Sequence, residues 1–148
     1  TKANQTEGHI PYISSTASNN GVDGFIGNKE QIRKSAHNIT LANSGSVGAC
    51  FYQAYEYIAS DHVTSLTLKN GNQYVYLFIA AIVKRLKEKY SFNREVTDER
   101  IKRETLILPI DNENQPNWHF MEEYIKEREN KQRQELKEYY KNRFCLIW

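Results

Sequence analysis

The sequence is poor in the residues that mark several protein classes. Its 148 residues include two cysteines, three prolines and one methionine. Cys50 and Cys145 lie far apart, so they predict neither a disulfide framework nor a metal cluster, and they fit a reducing, cytosolic setting. No apolar run approaches the ~18 residues of a membrane span, and no secretory signal opens the chain. These absences argue against a membrane protein and against a disulfide-stabilised secreted domain.

The remaining composition is ordinary for a globular protein. Hydrophobic residues make up 39% and charged residues 26% of the chain, and its length favours one domain, with or without an appended element. The net charge of +2 is lower than that of a typical nucleic-acid-binding domain. Whether the chain binds nucleic acid must therefore be judged from how charge is distributed along the sequence. The chain starts at Thr1 without a methionine, which predicts a fragment or a processed product.

Residues 38–69 contain the clearest strand signals. Apolar and β-branched runs at 39–42 and 49–52 flank a Gly- and Ser-rich centre, and further runs follow at 57–63 and 65–68. Such runs, separated by small polar residues, predict short strands joined by tight turns. The polar loop at 43–46 carries small hydrogen-bonding side chains, so it is either a simple hairpin turn or a recognition loop.

The N-terminal part predicts one more strand and a second polar loop. Residues 9–16 read as a short edge strand with Pro11 near its start, because proline removes a ladder donor. Asn20-Gly21 and Asp23-Gly24 then predict turns within a loop at 17–28. A small basic segment at 29–34 follows between loops.

Two helices and one more strand are expected after residue 70. The first helix covers 74–89, and its predicted core face consists of Tyr74, Leu77, Phe78, Ala81, Ile82 and Leu86. A buried strand is predicted at 105–110, stopped by Pro109. The second helix begins after Asn117 as N-cap and spans roughly 35 Å if helical to residue 140, at 1.5 Å per residue. Its last apolar residues require cover from this chain or another one; they are Leu136, Tyr139, Tyr140 and Phe144.

The stretch 84–103 is locally basic. It holds eight Lys or Arg residues against four Asp or Glu residues, a local net charge of +4. This is the composition of a phosphate-contacting edge. A solvated, capped helix end has the same composition, so both interpretations stay open.

The sequence carries no convincing catalytic constellation. The four histidines have no metal-ligand spacing, and Asp61-His62 are predicted to point to opposite faces of a strand. Glu129-Asn130-Lys131 has the Glu-x-Lys spacing of many nucleases but lies in a charge-rich helix. Gly21, Gly24 and Gly27 lack a following Gly-Lys-Ser or Gly-Lys-Thr. We therefore predict no enzyme activity, no metal and no cofactor.

The order of several loose motifs resembles a target recognition domain from the specificity subunits of type I, or related type II, restriction-modification systems. The resemblance covers about residues 8–126. It rests on the motifs Pro11-Tyr12-Ile13-Ser14-Ser15-Thr16, Asn19-Asn20-Gly21, Gly24-Phe25, Asn43-Ser44-Gly45-Ser46-Val47-Gly48, Phe51-Tyr52-Gln53, Ala59-Ser60-Asp61-His62-Val63, Leu106-Ile107-Leu108-Pro109 and Pro116-Asn117-Trp118-His119-Phe120-Met121-Glu122.

The resemblance implies an α+β fold: a small twisted sheet or partial barrel with a packed helix, followed by a long helix. It implies a DNA recognition domain at 1–116 and a coiled-coil-type spacer or dimerisation helix at 117–148. The chain would be non-catalytic and cytoplasmic, and would bind double-stranded DNA. Its partners would be an adenine-specific methyltransferase subunit, a restriction subunit and a second copy bound through the C-terminal helix. Such subunits usually carry two recognition domains, so a single domain lacking its first strand predicts a fragment or a half-size subunit.

Under this hypothesis, side chains of residues 14–21 and of the loop at 43–46 contact base edges, and the basic edge contacts phosphates. The base-contact candidates are Ser14, Ser15, Thr16, Asn19, Asn20, Asn43 and Ser44. The phosphate-contact candidates are Lys84, Lys87, Lys89, Arg94, Lys102 and Arg103. Arg94 is also a candidate reader of guanine, although Glu95 beside it departs from the family pattern. The competing hypothesis is a protein-interaction module that uses the C-terminal helix and binds no DNA.

Overall fold

The computed structural model describes residues 4–69, 71–91 and 93–144, and it has an α+β fold, as predicted. The chain divides into two compact units, Thr1–Ile107 and Leu108–Trp148. The described part of the first unit contains seven strands: β1 Glu7–Ile13, β2 Val22–Ile26, β3 Arg33–Ser35, β4 Asn38–Ala42, β5 Cys50–Gln53, β6 Tyr57–Ala59 and β7 Val63–Leu66.

The strands form two sheets. The four-stranded sheet has the order β2-β1-β6-β3, with β1 and β6 parallel and the other pairs antiparallel. The three-stranded antiparallel sheet has the order β5-β4-β7. Its central strand β4 is buried at every position, as its apolar and β-branched residues predict. Strands are therefore present between residues 38 and 69 as expected, except that a turn at Asp61-His62 interrupts the predicted run at 57–63.

The N-terminal region departs from prediction in three places. β1 is an inner strand, and Pro11 is tolerated because pairing with β6 begins only at Tyr12. The expected loop at 17–28 contains β2, in which Gly24 pairs with Tyr12, so the Asp-Gly turn was wrong. Part of the segment 29–34 enters β3. Local turn signals do not predict these strands, because the backbone hydrogen bonds that form them come from residues far away in the sequence.

The first helix, α1, spans Gln73–Val83 and continues as a 3-10 turn over Lys84–Glu88. Asn72 caps its start, accepting hydrogen bonds from two main-chain N–H groups. The buried positions within α1 are Val75, Tyr76, Ile79, Ala80 and Val83, so the predicted core face was wrong within the helix. Because nearly every residue of α1 is apolar, spacing alone does not select a face.

The predicted strand at 105–110 is absent from the structure. Ile107 is 90% exposed, and Ile110 forms only an isolated bridge with Pro116. An apolar run becomes a strand only where a neighbouring strand satisfies its backbone. A short helix, α2, spans Asp98–Ile101 and is capped by Thr97.

The second unit contains the long helix α3, Trp118–Arg143. Its N-cap is Asn117, as predicted, with Oδ1 accepting from the Phe120 N–H at 2.9 Å. Arg133 and Glu129 form an i,i+4 ion pair at 3.1 Å. The apolar residues near the helix end are 50 to 57% exposed, and Cys145 lies outside the described residues. Among the described helices, none is long and apolar enough to cross a membrane.

Candidate nucleic-acid interface

The two polar loops predicted to read DNA meet each other. The loop at 14–21 follows β1, and the loop at 43–49 joins β4 to β5. The Ser46 N–H donates to the Ser15 carbonyl at 2.9 Å. Gly45 has a φ of +57°, and a Cβ on it would lie 2.9 Å from the same carbonyl oxygen. Glycine is therefore required for this close approach, which holds the loops together.

The first loop turns through three consecutive left-handed residues. The φ values of Asn19, Asn20 and Gly21 are 48°, 54° and 82°, a conformation that asparagine and glycine adopt most readily. The Ser14 N–H donates to the Gly21 carbonyl at 3.0 Å and closes the loop. Asn19 and Asn20 are exposed, whereas Ser14, Ser15 and Thr16 are half-buried. The same residues, Asn19 and Asn20, therefore form the turn and present exposed amide side chains.

A buried glutamine supports this turn from below. Gln53 on β5 is fully buried, and its Nε2 donates to the Asn20 carbonyl at 2.8 Å and to Thr40 Oγ1 at 2.9 Å. No role for Gln53 was predicted from the sequence. The available signal was a polar residue at the end of an apolar strand, since a buried amide requires hydrogen-bond partners.

Asn43 lies at the start of the second loop but is engaged within the fold. Its N–H donates to the His62 carbonyl at 2.9 Å, and its carbonyl accepts from the Val96 N–H at 3.1 Å. Its side-chain amide lies 2.9 Å from Thr64 Oγ1. The following Ser44 is half-buried. Asn43 therefore anchors the loop, whereas Asn19 and Asn20 have exposed side chains.

Two of the predicted phosphate-binding lysines lie beside the second loop and the strand that follows it. Lys84 and Lys87 belong to the 3-10 turn after α1 and are exposed. Gly48, with a φ of +79°, lies against the Lys87 backbone, where an added Cβ would come within 3.0 Å. Lys84 Nζ lies 5.6 Å from the centre of the Phe51 ring, a cation–π distance.

Lys89 and Arg94 belong to a different cluster, built on Glu104. Lys89 Nζ lies 2.7 and 2.9 Å from the two carboxylate oxygens of Glu104, and the Tyr90 hydroxyl donates to the same carboxylate. Arg94 lies 5.3 Å from the centre of the Tyr90 ring. The hydrogen bonds from Lys89 and Tyr90 lower the pKa of Glu104, and the bond to Glu104, with burial, raises the pKa of Tyr90. Glu104, just outside the basic stretch defined by sequence, thus offsets the charge of Lys89.

The remaining sequence-derived candidates fall outside both clusters. Lys102 and Arg103 follow α2 and are exposed. Asp61 and His62 lie in an exposed turn rather than on a strand, so the strand-based prediction of their orientation was wrong.

No group of three or more His, Cys, Asp or Glu residues suited to a metal occurs in the described ranges. Phe92, beside Asn93 and Arg94, lies outside those ranges.

The chain is similar to a known protein family and to a specificity subunit of that kind. The family model described as type I restriction modification DNA specificity domain matches residues 1–138. The type II restriction enzyme specificity subunit S.BcgI of Heyndrickxia coagulans is 35% identical over 133 residues, covering 88% of this chain. The chain spans 39% of the length of that subunit. No solved structure matches the chain significantly.

Proposed function

The chain belongs to the type I restriction modification DNA specificity family, and we propose that it reads one part of a DNA target on behalf of separate enzyme subunits. The observation that carries this proposal is the contact between Ser15 and Ser46, which holds two polar loops side by side. Small hydroxyl and amide side chains on neighbouring loops suit the donor and acceptor pattern of base edges. The chain itself performs no catalysis in this proposal.

The proposed base contacts are Ser14, Ser15, Thr16, Asn19, Asn20, Asn43 and Ser44, of which Asn43 also contacts Thr64 within the fold. Among them, Asn19 and Asn20 have exposed amides, which suit bidentate pairing with adenine. The proposed phosphate contacts are Lys84, Lys87, Lys89, Arg94, Lys102 and Arg103, of which Lys89 also pairs with Glu104. These side chains contribute affinity, and the loop side chains contribute specificity.

The proposed division of labour assigns DNA recognition to residues 1–116 and spacing or assembly to residues 117–148. The exposed apolar residues of α3 near its C-terminal end support an assembly role. Its proposed partners are an adenine-specific methyltransferase subunit, a restriction subunit and a second copy of the chain. Two copies would read two separated half-sites. We place this activity in the cytoplasm, where such a system meets DNA.

Selection of bound duplexes from a random pool, using the chain together with a methyltransferase subunit, tests the proposal. We expect one enriched sequence. Six phosphate contacts predict a slope of log K against log salt of about −5. Enrichment of no sequence, together with binding that ignores salt, would contradict the proposal. Cleavage of DNA by the isolated chain with magnesium would contradict the non-catalytic assignment.

Sedimentation tests the assembly role of α3. We expect self-association that is lost when the exposed Leu136 and Tyr139 are replaced by polar residues. A monomer at high concentration with an intact helix would refute the pairing of two copies through α3. A chain that self-associates but binds no duplex would instead support the protein-interaction module.

A further inference from the structure

We infer that a cleft between the loop at 43–49 and the 3-10 turn Lys84–Glu88 binds one backbone phosphate of the DNA. This inference rests on the proposed function and narrows it. It selects Lys84 and Lys87 from the six basic candidates and adds the hydroxyls of Ser46 and Ser91.

The cleft has the size and position for a phosphodiester. Its volume is about 330 Å³, and its lining includes residues 45–49, Ala17, Phe51, Lys84, Lys87 and Ser91. Ala17 belongs to the first polar loop and Ser46 to the second. A phosphate in this cleft would therefore lie beside both loops that carry the proposed base contacts, as expected for a contact that sets the register of a duplex.

The charge of the cleft favours an anion. Lys84 and Lys87 are the charged side chains of its lining, and within the described part of the chain no carboxylate contributes to it. Ser46 and Ser91 add hydroxyl donors. Ammonium and hydroxyl groups are common phosphate ligands in protein–DNA complexes. By contrast, Lys89 is compensated by Glu104 and is absent from this lining.

The segment that carries the two lysines contacts the loop at 43–49 and the strand that follows it. Gly48 has a positive φ, and a Cβ on it would make a tight contact of 3.0 Å with the Lys87 backbone, so glycine favours this close approach. The Phe51 ring, on β5, lies beneath the Lys84 ammonium at 5.6 Å. The loop and the 3-10 turn that carries both lysines are therefore positioned relative to each other before DNA binds, which lowers the entropy cost of binding.

A salt titration of the selected duplex tests the inference. For Lys84→Gln/Lys87→Gln, we expect the slope of log K against log salt to become shallower by about 0.9, the contribution of one phosphate. Affinity should fall equally for target and mismatched duplexes. The control Lys29→Gln/Lys69→Gln removes two exposed lysines outside the cleft and should keep the wild-type slope. Lys84→Arg/Lys87→Arg should keep it too, because both charges remain.

Duplexes with single methylphosphonate linkages locate the contact. We expect a neutral linkage at one position to lower the affinity of the wild-type chain for the duplex. The same linkage should not lower the affinity of the double glutamine variant, which has already lost the contact. If the double glutamine variant keeps the wild-type salt slope while the wild-type chain binds its duplex, the phosphate site in the cleft is refuted but the proposed function is not. A wild-type chain that binds no duplex would overturn the proposed function and this inference together. Saturable binding of inorganic phosphate, lost in the variant while its DNA slope is unchanged, would reassign the cleft to a free anion.

Discussion

The side-chain amide of Gln53 donates a 2.8 Å hydrogen bond to the main-chain carbonyl of Asn20. Gln53 is fully buried on β5, whereas Asn20 is the middle residue of three with positive φ. Such a conformation persists where surrounding structure holds it. The bond therefore links the core of the three-stranded sheet to the backbone of a proposed reading loop.

We expect Gln53→Met to reduce discrimination between target and mismatched duplexes while leaving the salt slope unchanged. Methionine has a similar length but no donor, so the Asn20 carbonyl loses its support at a cost of about 1 kcal/mol in unfolding free energy. The matched control is Thr40→Val, which removes the other partner of Gln53 Nε2 but keeps the bond to Asn20. Competition binding with paired duplexes measures the discrimination. Equal losses in both variants would show that Gln53 only stabilises the fold.

We expect Gly45→Ala to lower the unfolding free energy by at least about 1 kcal/mol, because an alanine at positive φ is strained. Its Cβ would also meet the Ser15 carbonyl at 2.9 Å, pushing the two loops apart. Gly24→Ala is the control: its Cβ would meet open space in β2, and the same substitution should be neutral or stabilise by roughly 0.5 kcal/mol. Urea denaturation compares the two. Equal stability of both variants would contradict the close approach.

We expect Glu104→Gln to lower stability at neutral pH, by an amount that shrinks as the pH falls. Hydrogen bonds from Lys89 and Tyr90 hold the pKa of Glu104 below its ordinary value of 4.5. The ionised form therefore stabilises the fold above that value, and this stabilisation is lost as the pH falls through the lowered pKa. Thermal unfolding between pH 7 and 3 measures the difference, with Glu30→Gln as an exposed control. A difference that does not change with pH would exclude the carboxylate as its source.

We expect the Cys50 thiol to react with a disulfide reagent only after unfolding. Burial raises its pKa to about 12, although the charge of Lys84 opposes the shift. The thiolate fraction near pH 8 is then roughly a thousandfold below that of an ordinary thiol. Cys145→Ser isolates the signal of Cys50, and the same chain in urea is the control. Fast reaction of the native chain would indicate that β5 opens readily.

Several features were determined by short stretches of sequence. α3 begins after Asn117 because this capping side chain precedes a run of helix-forming residues. β4 and β5 follow from apolar runs around a turn, and Asn19-Asn20-Gly21 turns because those residues tolerate positive φ. Each of these features depends on residues that are close together in the sequence, so a local sequence pattern is enough to predict it. The order of motifs along the sequence also predicted the family, which the comparison with known proteins confirmed.

Other features were decided only by tertiary structure, because they depend on residues far apart in sequence. Gln53 and Asn20 are separated by 33 positions, and the pairing of β1 with β6 makes an inner strand of an apparent edge. α1 is apolar on all sides, so the sheet against which it packs selected its buried face. Glu104 neutralises a lysine 15 positions away. The sequence thus determined that polar loops and a basic stretch exist, whereas long-range contacts decided which of their residues meet: Ser15 with Ser46, and Gly48 with Lys87.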